Sequence, residues 1–195
     1  MLTSALLALA AATEAASTPA ASEPAPSHLH MEAGLHLGWG SYQQRNWSDR
    51  DAYGSANDVH FAIGARFATS FWVGGSANVF AFVANTRKML HSGATKSLPL
   101  ASGILVGGIA GWAPPRGNVA VDLTLGTFWG GYPAEWGGFG IGIAPAFTYV
   151  VKHFGKHGIG VTARLIWIPK VTAGDRQNDD TRYIAGQLGA EWRFN

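Results

Sequence analysis

The 195 residues contain no cysteine, which rules out a disulfide framework and any thiolate metal site. Charge is scarce as well: 13% of residues are Asp, Glu, Lys or Arg, against about 25% in an ordinary soluble domain. The 14 basic and 12 acidic side chains leave a net charge of +2, too little to imply nucleic acid as a partner. No Gly-x-Ser-x-Gly elbow and no phosphate-binding loop are present. The histidines that fall on strand inner faces, His30, His36 and His60, show no metal-site spacing, so no metal and no cofactor are expected. One uncharged apolar run, Leu98 to Pro115, has glycines at a membrane-helix packing spacing. A transmembrane helix there is a rival reading, but Pro99 and the glycines inside the run work against it.

Glycine and aromatics are plentiful, with 26 Gly, 8 Trp and 10 Phe. Residues 1–15 have the short apolar core and small residues of a secretory signal peptide, without its usual positive start. Residues 16–27 form an Ala/Pro/Ser linker with no apolar periodicity. From residue 28 to 195 the pattern has the two-residue period of strands. Leu29, Met31, Ala33, Leu35, Leu37 and Trp39 alternate with His30, Glu32, Gly34, His36, Gly38 and Gly40. The same alternation recurs around Val59–Phe67, Val119–Gly126, Phe139–Tyr149, Ile159–Trp167 and Tyr183–Phe194. Two further segments, about 72–84 and 99–112, are apolar on both faces in places, and bring the count to eight.

Short connectors near 69–71, 113–117 and 152–157 alternate with longer polar ones at 43–57, 85–97, 130–138 and 169–182. An even strand count with short turns at one end and long loops at the other describes an all-β, eight-stranded antiparallel up-and-down transmembrane barrel. Strands of about 9–11 residues cross a bilayer when tilted, and a sheet can span only if it closes. Trp39, Trp129 and Trp167 fall towards the long-loop side, and Trp72, Trp112, Tyr149 and Trp192 towards the short-turn side, as two interfacial girdles. A soluble ligand-holding barrel shares the alternation, but here the polar face is too sparse and glycine-rich to cover a water-facing surface. The expected location is a bacterial outer membrane with both termini periplasmic. Its expected partners are outer-membrane lipids, lipopolysaccharide and the barrel-assembly machinery, with no nucleic acid and a monomeric state.

If the apolar faces meet lipid, the other faces line the lumen. Glu32, Arg66, Asp122, Arg164, Glu191 and Arg193 then form a balanced network in the inner half, and its expected role is a polar plug. Small and apolar inward positions in the outer half, among them Gly38, Gly64, Leu105, Phe128, Gly142 and Ile166, outline an acyl-chain cavity, unless Phe80 and Phe82 fill it. Arg87, Lys88 and Lys96 of the second long loop are placed to meet lipopolysaccharide phosphates.

On these features the stretch 28–195 resembles the small outer-membrane barrels of the OmpA/OmpX type. Its ending (Leu188, Ala190, Trp192, Phe194) is similar to the signal read by the assembly machinery. A weaker resemblance is to the lipid A palmitoyltransferases, the PagP family. His36 precedes a polar loop as that family's catalytic histidine does. Ile166-Trp167-Ile168-Pro169 is similar to its Tyr-Ile-Pro segment, and Glu191-Trp192-Arg193-Phe194 to its closing aromatic-Met-Arg-Phe. The family's Asp-Ser pair corresponds best to Asn85-Thr86. This second resemblance implies acyl transfer with His36 as general base and Thr86 as its partner. The reading taken first is a non-enzymatic structural or surface-interaction protein, with a lipid or small amphiphile in the outer half as its candidate ligand. A narrow pore is the third and least favoured reading.

Overall fold

A computed structural model describes residues 28–44, 52–67, 70–84, 100–131, 138–173 and 180–195. The signal and linker segments, Thr86, and the basic residues Arg87, Lys88 and Lys96 lie outside the described residues. The described chain forms eight strands: β1 Leu29–Gln44, β2 Ala52–Arg66, β3 Phe71–Ala84, β4 Leu100–Trp112, β5 Val119–Gly131, β6 Gly138–Phe154, β7 His157–Ala173 and β8 Asp180–Phe194. Each pairs antiparallel with the next, and β8 returns to β1 to close the barrel. The uncharged run expected to be ambiguous is strand β4, not a helix. Closure explains how so glycine-rich a sheet can stand in lipid: every strand has a neighbour on both sides, so no edge is left unpaired.

Register is continuous along β1–β2, from Leu29↔Ala65 to Tyr42↔Ala52. The first long connector is therefore shorter than the expected 43–57, because β2 already begins at Ala52. The last is shortened in the same way, since β7 runs to Ala173 and β8 starts at Asp180. Between Ile168 and Val171 the β7–β8 ladder slips; Pro169 falls inside that step and has no N–H to donate.

At the short-turn end, Gly155 turns β6 into β7 with a φ of 61°, a left-handed conformation that glycine adopts without steric cost. Gly117 N–H donates to Pro114 O in the β4–β5 turn at 3.1 Å. The first and last described residues lie at this same end: Arg66 N–H bonds His28 O at 2.9 Å, and Asn195 N–H bonds Lys156 O at 2.8 Å.

The exterior is apolar. Leu35, Leu37, Phe61, Ile63, Leu125, Ile141 and Leu188 all point outward, Leu188 with 63% of its surface exposed. In water such a belt would be a large unfavourable apolar surface; in hydrocarbon it is the required one. Trp39, Trp129, Trp167, Trp112 and Tyr149 are on this outer surface, as the girdle reading expects. Trp72 is not. It is 1% exposed, turned into the lumen, with its ring 4.1 Å from that of His30. Apolar residues on both faces of β3 had hidden which parity points inward.

Candidate functional site

The lumen divides into two chemically different halves. Towards the short-turn end it is polar. Glu32, Asp58, Asp122 and Glu191 are buried there with Arg66, Arg164 and Arg193. The six residues expected from the sequence are all present and inward, because strand alternation fixes their face. The expected balance of three acids and three bases is corrected by Asp58. It belongs to β2, two residues before His60 and so on the same face, and falls between the expected connector 43–57 and the first strand residue read, Val59. Extending the alternation of β2 backwards would have found it.

Arg193 is the hub. Its Nε donates to Glu191 Oε1 at 2.7 Å, and its Nη2 lies 3.0 Å from Glu32 Oε1 and 3.2 Å from Asp122 Oδ2. The same Nη2 reaches Thr148 Oγ1 at 2.9 Å, and Thr148 and Thr162 share a hydrogen bond of 2.8 Å. Arg164 Nη1 donates to Asn78 Oδ1, and its Nη2 stands 3.5 Å from Glu191 Oε2. Arg66 ties the floor together: Nη1 donates to Ala113 O at 2.8 Å, and Nη2 to His30 Nδ1 at 3.0 Å and to Asn195 Oδ1. Trp72 packs beside this floor with Ala62, Ile109, Ala113 and Ala120. Salt bridges this deep are stable because several partners share each charge.

The outer half is filled with apolar side chains. Phe80 stacks on Phe128 (centroids 5.3 Å) and on Tyr183 (5.1 Å), and Phe82 meets the edge of Tyr183 at 5.8 Å. Leu105, Phe128 and Ile166, expected to line an acyl cavity, belong to this one packed cluster with Phe80, Phe82, Ile168 and Val171. Of the two expected alternatives the filled one holds: Phe80 and Phe82, which β3 directs inward, take up the outer lumen. The glycines assigned to it are accounted for separately. A Cβ on Gly38 would meet Gln187, and one on Gly142 would meet Leu105 at 2.7 Å. Gly64 lies in the inner half instead, where a Cβ would press on Trp72 at 2.9 Å, because β2 runs from the outer end to the inner one.

His36 lies under this apolar seal. It is fully buried, and its Nδ1 hydrogen-bonds Asp58 Oδ1 at 2.7 Å. Two glycines make room for its ring: a Cβ on Gly189 would stand 2.4 Å from His36 Cδ2, and one on Gly34 2.7 Å from Cε1. The histidine proposed as a general base is therefore built into the polar plug, and its proposed partner Thr86 lies outside the described residues. Sequence reading did not single out Asn78, Thr148, Thr162 or Asn195, all buried and bonded in the network. Neutral polar residues carry no charge signal, and only strand parity marks them.

Fold and interior together define a closed eight-stranded antiparallel barrel with a lipid-facing exterior and a filled lumen. Among solved structures, the chain is similar to Neisserial surface protein A (NspA), at 14% identity over 86% of this chain and 97% of that one, with a TM-score of 0.51. It is also similar to Ail, the attachment invasion locus protein of Yersinia pestis, solved with the heparin analogue sucrose octasulfate. That match has 12% identity, covers 84% of this chain and 99% of that one, and has a TM-score of 0.47. The outer membrane protein OprG from Pseudomonas aeruginosa follows at 9% identity, 86% and 95% coverage and a TM-score of 0.43. At 14% identity the likeness to NspA is one of fold. No family model and no curated relative matches the sequence.

Proposed function

We propose that this chain is an integral outer-membrane barrel with both termini on the periplasmic side, and that its role is structural or surface-interacting rather than catalytic or conductive. The observation that carries the reading is the pairing of an apolar outer belt with a lumen filled by charge-paired and aromatic side chains. A filled lumen leaves no path for solutes, so contacts with the outside world pass through the long connectors. The second of these carries Arg87, Lys88 and Lys96, a charge set suited to lipopolysaccharide phosphates. The protein is a monomer in this reading, inserted by the barrel-assembly machinery.

Membrane fractionation with heat-modifiable gel migration tests the barrel, which should appear as a faster-running band in the membrane fraction before boiling. A protease site inserted between residues 174 and 179 should be cut on intact cells, and a tag after Asn195 should stay protected. Recovery in the soluble fraction, or the reverse accessibility, refutes the reading. Planar bilayers should show no steady conductance. Lipid A from cells with and without the gene should carry the same acyl chains; a difference would establish acyl transfer instead.

A further inference from the structure

Among the described residues three histidines, His30, His36 and His60, are fully buried in the lumen, and their hydrogen bonds divide them into two kinds. His30 uses both ring nitrogens: Nε2 donates to Glu32 Oε1 at 2.8 Å, and Nδ1 accepts from Arg66 Nη2 at 3.0 Å. His36 and His60 each use one. His36 Nδ1 donates to Asp58 Oδ1 at 2.7 Å, and His60 Nδ1 to Asn78 Oδ1 at 3.0 Å. Arg164 also donates to Asn78 Oδ1, which fixes that atom as the carbonyl oxygen. With the proton on Nδ1, the Nε2 of each neutral ring is a bare lone pair. Both rings are fully buried, and among the described residues neither Nε2 has a hydrogen-bond partner. Glu32 Oε2 has none either.

These atoms face one another. His60 Nε2 lies 3.6 Å from Glu32 Oε2, and His36 Nε2 lies 3.8 Å from Glu191 Oε2. Both separations are too long for hydrogen bonds, and with the rings in their neutral form both bring acceptor against acceptor, an arrangement relieved when a proton or a metal ion lies between. Glu32, His60 and Glu191 each offer a ligand atom within 4.8 Å of the others. Ligand atoms at about 2.0–2.2 Å from a tetrahedral ion stand about 3.4 Å apart, so a small contraction of these three side chains sets three corners of the shell, and His36 Nε2, 3.8 Å from Glu191 Oε2 but outside that group, reaches the fourth by a larger movement of its ring. We infer that His36 Nε2, His60 Nε2, Glu32 Oε2 and Glu191 Oε2 form a binding site for one divalent transition-metal ion of the zinc kind.

The surroundings are those of a metal centre. Each ligating ring is oriented through its other nitrogen by a carboxylate or a carbonyl, as second-shell groups do. Each glutamate divides its oxygens: the two Oε1 atoms take Arg193, and the two Oε2 atoms face the ion. The lumen buries four carboxylates (Glu32, Asp58, Asp122, Glu191) against three guanidiniums (Arg66, Arg164, Arg193). The ion displaces one long contact, Arg164 Nη2 to Glu191 Oε2 at 3.5 Å. Two nitrogens and two carboxylate oxygens suit Zn2+ rather than Ca2+ or Mg2+. The ligands come from β1, β2 and β8, so the ion fastens the seam where the first and last strands meet. The apolar seal lies over it, which makes the centre structural.

The test uses the full chain, purified in detergent and stripped with a strong chelator. Zn2+ should rebind at one ion per chain by elemental analysis. Co2+ should give the visible bands of a four- or five-coordinate ion. Zn2+ should raise the temperature at which the stripped wild type loses its fast-migrating form. H36Q/H60Q should lose the stoichiometric ion and the temperature shift. D58N, which removes no ligand, should weaken binding about 10–100-fold. H153Q/H157Q, altered at the short-turn end, should bind as wild type does. Wild type that holds no ion after Zn2+ addition overturns the site without recourse to any variant. Loss of the ion in H153Q/H157Q, or its retention in H36Q/H60Q, does so too.

Discussion

Replacing Arg193 with methionine keeps the length of the side chain and removes its charge, which makes it the sharpest probe of the plug. Arg193 is 2% exposed and is shared by Glu191 at 2.7 Å, Glu32 at 3.0 Å and Asp122 at 3.2 Å. Without it, three buried carboxylates face one another with Arg164 at the edge of the cluster. Removing one partner of a buried ion pair costs about 3–5 kcal/mol. Taking about 4 kcal/mol, with about 2–4 °C per kcal/mol for a chain of this size, the folded band should be lost about 8–16 °C lower. The assay is a temperature series of unboiled gel samples, paired with urea titration of the protein refolded into lipid vesicles. D122N in the R193M background removes one uncompensated charge, so the two changes should be less than additive, with a coupling of about 0.5–3 kcal/mol. The exposed Lys152 serves as control, and K152Q should shift stability by less than about 0.5 kcal/mol. A loss below about 1 kcal/mol for R193M, or strict additivity with D122N, would falsify the view of Arg193 as the hub.

Three other substitutions probe the remaining layers, each followed by urea titration in vesicles. Phe80→Ala takes a ring out of the stack with Phe128 and Tyr183 and should cost about 3–5 kcal/mol; a neutral result would mean that the outer lumen is loosely packed. Leu188→Arg places a charge on the lipid face opposite Leu37 and Ala163 and should cost about 2–4 kcal/mol near the bilayer midplane. The same variant in a water-soluble barrel would be tolerated, so it also tests the membrane reading. Gly189→Ala drives a methyl against Leu35 O and His36 and should cost about 1–3 kcal/mol. Gly186→Ala, where an added Cβ meets nothing within 4 Å, should be close to neutral, and equal effects at the two glycines would discount the close fit around His36.

Much of the barrel was legible in the sequence because the strand period is local. Once Leu35 and Leu37 were assigned outward, His36 between them had to point inward, and the same logic placed Arg164 and Glu191 without any knowledge of their neighbours. That logic failed on β3. Trp72, Phe80 and Phe82 are inward while Val73 and Val79 are outward, and apolar residues on both faces erase the contrast from which parity is read. The consequence is double: the sequence places Trp72 in a lipid girdle, and it leaves open whether the outer lumen holds a cavity or is filled by Phe80 and Phe82, which the packed cluster decides for the second. Asp58 escaped for a different reason. Loop-like composition around it concealed that β2 had already begun at Ala52.

The sequence by itself determined the class of the protein: strands that alternate, an outside made for hydrocarbon, an inside that carries charge, and a closing strand, QLGAEWRF, that repeats the pattern. Period two follows from the pleat and needs no partner to be read. Tertiary structure alone decided which inward side chains meet. His36 and Asp58 are 22 residues apart, Arg164 and Asn78 are 86, and Arg66 and Asn195 are 129. Those meetings depend on register and on the closure of β8 against β1, which set depth and bring opposite walls within reach across a lumen only as wide as its side chains. No local pattern encodes that distance, so the charge plug, the aromatic seal and the lone pairs gathered between β1, β2 and β8 emerge when the sheet closes.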